Sequence, residues 1–143
     1  MRTLQQLLDG KRRPLVHVAP DDLVLHALGR LAEHDIGAVL VLQEGRLAGI
    51  LSERDCVRKL ELTGRSAATT PVRDLMSIRV QYVTPDQTVA QCMGLMTERK
   101  IRHLPVLGSD GQVLGILSIG DLVKATLDEQ AFTIAQLTEY ITG

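Results

Sequence analysis

Gly49-Ile50-Leu51-Ser52-Glu53-Arg54-Asp55 returns at an offset of 66 residues as Gly115-Ile116-Leu117-Ser118-Ile119-Gly120-Asp121. In each, a Gly-Ile-Leu run of strand character leads into Ser with Asp three residues on, the S-x-x-D pattern of a helix start. Upstream the echo continues. Val18-Ala19-Pro20-Asp21 matches Val83-Thr84-Pro85-Asp86, and residues 36–42 match 101–107, both at an offset of 65. The chain is therefore an internal repeat, with one residue inserted in the second copy between the two matched blocks.

The periodicities alternate within each copy. Asp21 and Asp86 follow a Pro at positions suited to a helix N-cap. Behind them Leu23, Ala27, Leu28 and Leu31, or Val89, Cys92, Met93 and Met96, recur at the spacing of three and four that predicts an amphipathic helix. Apolar runs at 38–42 and 47–51 flank Glu44-Gly45, and runs at 104–107 and 113–117 flank Ser109-Asp110-Gly111, predicting a hairpin in each copy. A second helix opens at Ser52 or Ser118 and carries Val57 and Leu60, or Leu122, Val123 and Leu127. Each copy thus reads β-α-β-β-α, an α+β arrangement. One copy has too little core to be secure alone, so two are expected to pack with pseudo-twofold symmetry.

The boundaries follow: one module over 1–143, repeat one at about 4–62, a loop-like linker at about 63–71 and repeat two at about 72–127. A C-terminal helix at about 130–142 carries Phe132, Ile134, Leu137 and Ile141 and is expected to pack on the body or on a second subunit. Short helices are thereby placed at both ends.

Composition narrows the function. With 143 residues, 45% of them hydrophobic, the chain suits a single compact domain rather than a disordered segment. Net charge is -1 and aromatics are only Tyr82, Phe132 and Tyr140, so neither a basic nucleic-acid footprint nor a base-stacking platform is present. No apolar run approaches the roughly 20 residues of a membrane span, and no signal peptide is legible at the N-terminus. Cys56 and Cys92 align with Leu122 and Ala27, which predicts core positions in a reducing, cytoplasmic setting. His17, His26 and His34 form no metal-ligand spacing, and no nucleophile accompanies the carboxylates, so no catalytic or metal-ligating residue is expected.

An S-x-x-D at a strand-to-helix junction is, in isolation, a helix cap. A carboxylate at such a place also suits the two vicinal hydroxyls of a ribose, and its presence in both copies favours that role for Asp55 and Asp121. The doubled G-I-L-S-x-x-D ending, the repeat period and the element order together resemble a stand-alone tandem pair of CBS (cystathionine β-synthase) domains, the Bateman module of bacterial signal transduction. The resemblance runs from about Leu4 to Leu127. It implies a regulatory module that binds AMP, ADP, ATP or NAD(H), and less readily S-adenosylmethionine, in clefts between repeats, often as a homodimer that signals to a downstream protein. An interaction or dimerisation module with weak clefts is the alternative.

By the same resemblance, the cleft of Asp55 would take Ile50, Ser52 and Arg54 together with Ile78, Arg79, Arg102 and His103. The cleft of Asp121 would take Ile116, Ser118 and Gly120 together with Arg13, Pro14, Gly37 and Ala38. Arg102 and His103 align with Gly37 and Ala38, and Arg54 with Gly120, so cations collect on the Asp55 side. Guanidinium forks bind phosphate oxygens in charge-assisted pairs, and the Asp55 cleft is expected to prefer the more phosphorylated ligand.

Overall fold

The structure, a computed structural model, describes residues 2–10 and 15–142. It divides into two compact units. One holds 15–82 with 109–113, and the other holds 2–10, 83–108 and 114–142.

In the first unit, β1 (His17–Val18) lies parallel to β2 (Ala38–Gln43), which pairs antiparallel with β3 (Arg46–Ser52). Gln43 faces Arg46 across a two-residue turn in which Glu44 and Gly45 have φ of 53° and 78°. Two positive φ values in sequence match the right-handed twist of the flanking strands. Ala38, Val39, Leu40 and Val41 are all buried, so β2 is covered on both faces and is apolar without alternation. Two helices, α2 (Val24–His34) and α3 (Glu53–Thr63), complete the set. Val24, Ala27 and Leu31 of α2 and Cys56 of α3 meet Val39, Val41 and Leu51 in one core. Val57 is exposed, so α3 turns Cys56 and the partly buried Leu60 inward instead of the expected Val57 and Leu60.

The second unit repeats the plan with β4 (His103–Leu107), β5 (Val113–Ser118), α4 (Val89–Arg99) and α5 (Ile119–Thr142). Its leading strand is reduced to one parallel bridge, Val83 to Val106. Val89, Cys92, Met96, Leu104, Val106, Leu117, Leu122 and Ala125 form its core. The extra residue of the second repeat falls in the hairpin turn, within the 109–113 segment that groups with the first unit, where Gly111 takes a φ of 80° and Asp110 accepts from the Gln112 N–H. Both thiols are buried, and burial is the main cause that raises each to about 11.

Sequence repeat and compact unit do not coincide at their leading ends. The short helix α1 (Leu4–Gly10) opens repeat one in the chain, yet Leu4 is buried in the core of the second unit. The counterpart in the first unit is the start of repeat two, where Val72 and Leu75 enter the core. The hydrogen bonds match. Leu4 and Gln5 N–H groups reach the Gln87 and Pro85 carbonyls, as Val72 and Arg73 reach Asp22 and Pro20. Each unit is closed by the segment that opens the other repeat, a pairing invisible to a repeat search because Leu4 and Val72 lie outside the 65-residue register.

The same segments explain why Asp21 and Asp86 are not N-caps. The first N–H groups of α2 are taken by linker carbonyls, Val24 N to Thr70 and Leu25 N to Ala67. Leu23 holds the cap position with no side-chain bond, while Asp21 pairs with Arg73. In α4 the Val89 N–H goes to the Arg2 carbonyl, and Thr88 with Gln91 forms a capping box.

At the other end, the expected separate helix at about 130–142 is instead the continuation of α5, 24 residues without a break. No Gly or Pro interrupts 121–142, so the helix that opens at Ile119 has no cause to stop. Among the described residues no helix is long and apolar enough to cross a membrane.

Candidate functional site

The two S-x-x-D junctions sit at the starts of α3 and α5. In the first unit, Ser52 ends β3 opposite Ala38, and its Oγ accepts from the Asp55 N–H at 3.1 Å. The Glu53 N–H donates to the Gly37 carbonyl at 3.0 Å. Ile50, two residues earlier, exchanges both backbone bonds with Ser77 at 3.1 and 2.9 Å. That bridge seats the following Ile78 and Arg79 beside β3, both exposed, with Ile78 at 75%. Gly49 makes the approach possible: a Cβ there would lie 2.7 Å from the Ser77 carbonyl oxygen.

Ile50, Ser52, Asp55 and the 77–79 segment are thus gathered on one unit, together with Gly37 and Ala38. Ser77 was not among the expected site residues. Its signal in the sequence is indirect, a glycine in a strand where another backbone passes close.

The second unit builds the same junction with a difference. Ser118 Oγ accepts from the Asp121 N–H at 3.1 Å, and the Ser118 N–H donates back to Asp121 Oδ2 at 2.8 Å. The box is reciprocal here. The Ile119 N–H donates to the Arg102 carbonyl at 2.9 Å, the counterpart of the Glu53 bond to Gly37. Arg102, His103, Ile116, Ser118, Gly120 and Asp121 are therefore gathered on this unit, with Arg102 and Gly120 exposed and His103 half-buried. Arg13 and Pro14 lie outside the described residues.

Asp55 has no counterpart to the Asp121 back-bond: among the described residues its carboxylate, half-buried, makes no hydrogen bond. Arg54 and Arg79 are exposed and in no ion pair among those residues. One junction therefore presents an acceptor carboxylate with guanidinium groups nearby in the chain, and the other has drawn its carboxylate into the helix cap. In both, two of the first three helix N–H groups are already satisfied, so little of the helix end is left to bind an anion. Among the described residues no group of three His, Cys, Asp or Glu side chains could hold a metal ion.

The model of the family described as CBS domain matches residues 11–62 and 72–128, both copies of the repeat. The chain belongs to the CBS-domain family. Among its relatives, the mitochondrial CBS domain-containing protein CBSX3 of Arabidopsis thaliana is 40% identical over 86% of this chain, which spans 62% of that protein. The CBS domain-containing protein YhcV of Bacillus subtilis is 31% identical, with 90% of each covered. The solved structure of a protein with CBS domains from Burkholderia ambifaria superposes with a TM-score of 0.85 at 43% identity, covering 90% of this chain and 96% of that one. CBSX2, solved in complex with AMP, gives a TM-score of 0.76 at 29% identity over 91% of this chain and 99% of its own. The tandem CBS architecture expected from the doubled motif is the observed one.

Proposed function

We propose that this CBS pair is a regulatory, non-catalytic module that senses an adenine nucleotide (AMP, ADP, ATP or NAD(H)) through its two S-x-x-D junctions, Asp55 foremost. The observation that carries the reading is the Asp55 carboxylate: an acceptor group, half-buried at the start of α3 and without a hydrogen bond among the described residues, following the bridge that presents Ile78. Two carboxylate oxygens match two ribose hydroxyls. Ile50 and Ile78 offer apolar surface for adenine. Because the helix start has few free N–H groups, phosphate falls to Arg54 and Arg79.

The Asp121 junction, with Ile116, Ser118 and Gly120, has its carboxylate already bonded within the helix cap. It takes the less phosphorylated adenosine ligand, or binds second. The AMP bound by CBSX2, 29% identical to this chain, supports the ligand class.

A ligand of this kind transmits a signal only by binding two arrangements of the module unequally. The reader of that signal is a protein partner, and the module acts in the reducing cytoplasm as a homodimer. The test is calorimetric titration of nucleotide-free protein with AMP, ADP, ATP, NAD, NADH and S-adenosylmethionine, repeated on Asp55→Asn. Saturable heat for at least one nucleotide, lost in the variant with folding intact, is the expected outcome. Absence of heat across the panel leaves Asp55 a helix residue and favours a pure interaction module.

A further inference from the structure

Along α5 the residues Val123, Leu127, Gln130, Ile134, Leu137 and Ile141 follow one another at steps of 4, 3, 4, 3 and 4. That is the heptad spacing of a coiled-coil seam, sustained over the exposed part of the helix. The five apolar members are between 42 and 81% exposed. They are not the face that holds α5 to its unit, because the buried residues of the helix are Leu122 and Ala125. On the helical wheel the stripe is narrow. Thr126, Thr133, Ala131, Thr138 and Tyr140 border it, and Asp128, Glu129 and Glu139 lie away from it, as does the exposed Phe132. A strict seam of this width fits another helix better than a broad core.

We propose that this stripe pairs in parallel with the same stripe of a second copy of the chain. The proposal rests on the homodimer part of the reading above and is independent of nucleotide binding. Charge placement permits a like partner, since the acidic residues point away from the seam and the bordering positions, Lys124 apart, are uncharged. The area suits a weak, concentration-dependent pair. Five large apolar side chains, open to this extent, offer on the order of 500 Å² per chain, more than half of the roughly 800 Å² per partner in a stable complex.

Gln130 selects the direction. In a parallel pair the same seam position of each chain meets its copy, and a side-chain amide is at once donor and acceptor, so Gln130 satisfies Gln130. In an antiparallel pair centred on the stripe, Gln130 faces Ile134 and both amides are buried without partners. A polar residue at one seam position setting register at some cost in stability is the known use of such a site.

The experiment is sedimentation velocity of the full chain, from micromolar to hundred-micromolar concentration. Wild type is expected to reach twice the chain mass. Ile134→Asp with Leu137→Asp is expected to return it to the monomer, with helix content kept at concentrations where wild type is itself monomeric, because both side chains are exposed in the single chain. A wild type that stays monomeric throughout overturns both the homodimer and this seam. A dimer unmoved by the double substitution overturns the seam while the homodimer stands. Direction is read from Gln130→Cys under mild oxidation, the native thiols being buried. A disulfide-linked dimer supports the parallel register, and failure to cross-link a dimer that the double substitution abolishes overturns it.

Discussion

The helix starts at Ser52 and Ser118 are spelled alike and built differently. At Ser118 the Asp121 carboxylate folds back to the Ser118 N–H, whereas at Ser52 the Asp55 carboxylate stays out of the cap. The glycines ahead of them differ in the same way. Beyond Gly49 stands backbone, the Ser77 carbonyl oxygen, and beyond Gly115 stands the tip of a flexible side chain, Leu8 Cδ2 at 2.8 Å. In a duplicated motif, each copy answers to the segment that closes its own unit, so identity of letters does not carry identity of role.

The sharpest way to break this comparison is to give both glycines a methyl. Gly49→Ala forces backbone apart and is expected to cost about 2–3 kcal/mol in a urea melt, while Gly115→Ala moves a leucine tip and costs under about 1 kcal/mol. Equal losses would mean that the two closing segments yield alike. Nucleotide binding comes next. Asp55→Asn is expected to weaken it at least tenfold, about 1.4 kcal/mol, and Asp121→Asn less than Asp55→Asn does for the most phosphorylated ligand; titration calorimetry reads both. The reverse order would assign the leading role to the capped carboxylate.

Helix capping gives a smaller effect. Ser52→Ala and Ser118→Ala each remove one acceptor from a helix N–H and are expected to cost about 1 kcal/mol. Asp121→Asn weakens the reciprocal bond and is expected to cost about 0.5 kcal/mol by thermal unfolding, with no change for Asp55→Asn.

The thiols should behave alike. With both raised to about 11 in the folded chain, Cys56 and Cys92 stay protonated and unreactive to iodoacetamide at pH 8 until the protein unfolds. The sign on stability follows. The unfolded chain ionises first as pH rises past the ordinary value of 9.0, so these groups favour the fold below that pH, and the contribution is lost as pH climbs through 11.

Much of this was legible from the letters. The doubled heptapeptide located both hairpins and both second helices, and the alignment of Cys56 with Leu122 and of Cys92 with Ala27 marked two core cysteines. The misreadings have one origin. Asp21 and Asp86 suit an N-cap only by their neighbours in sequence, but the donors at α2 are met by Thr70 and Ala67, and Leu4 is buried among residues more than 75 positions away. Backbone hydrogen bonds leave no trace in residue type, and a helix cap supplied by a distant carbonyl looks like no cap at all.

What the sequence by itself determined is the part that rests on local periodicity and repetition: two β-α-β-β-α units, apolar strands that must be buried, and a pair of S-x-x-D turns. Only the tertiary structure decided which segment closes which unit, why Gly49 tolerates no side chain, and which of two identical carboxylates is committed to its own helix. Those outcomes depend on contacts between segments far apart in the chain, where the energy of a backbone bond or a steric overlap is set by position rather than by the identity of the residues that make it.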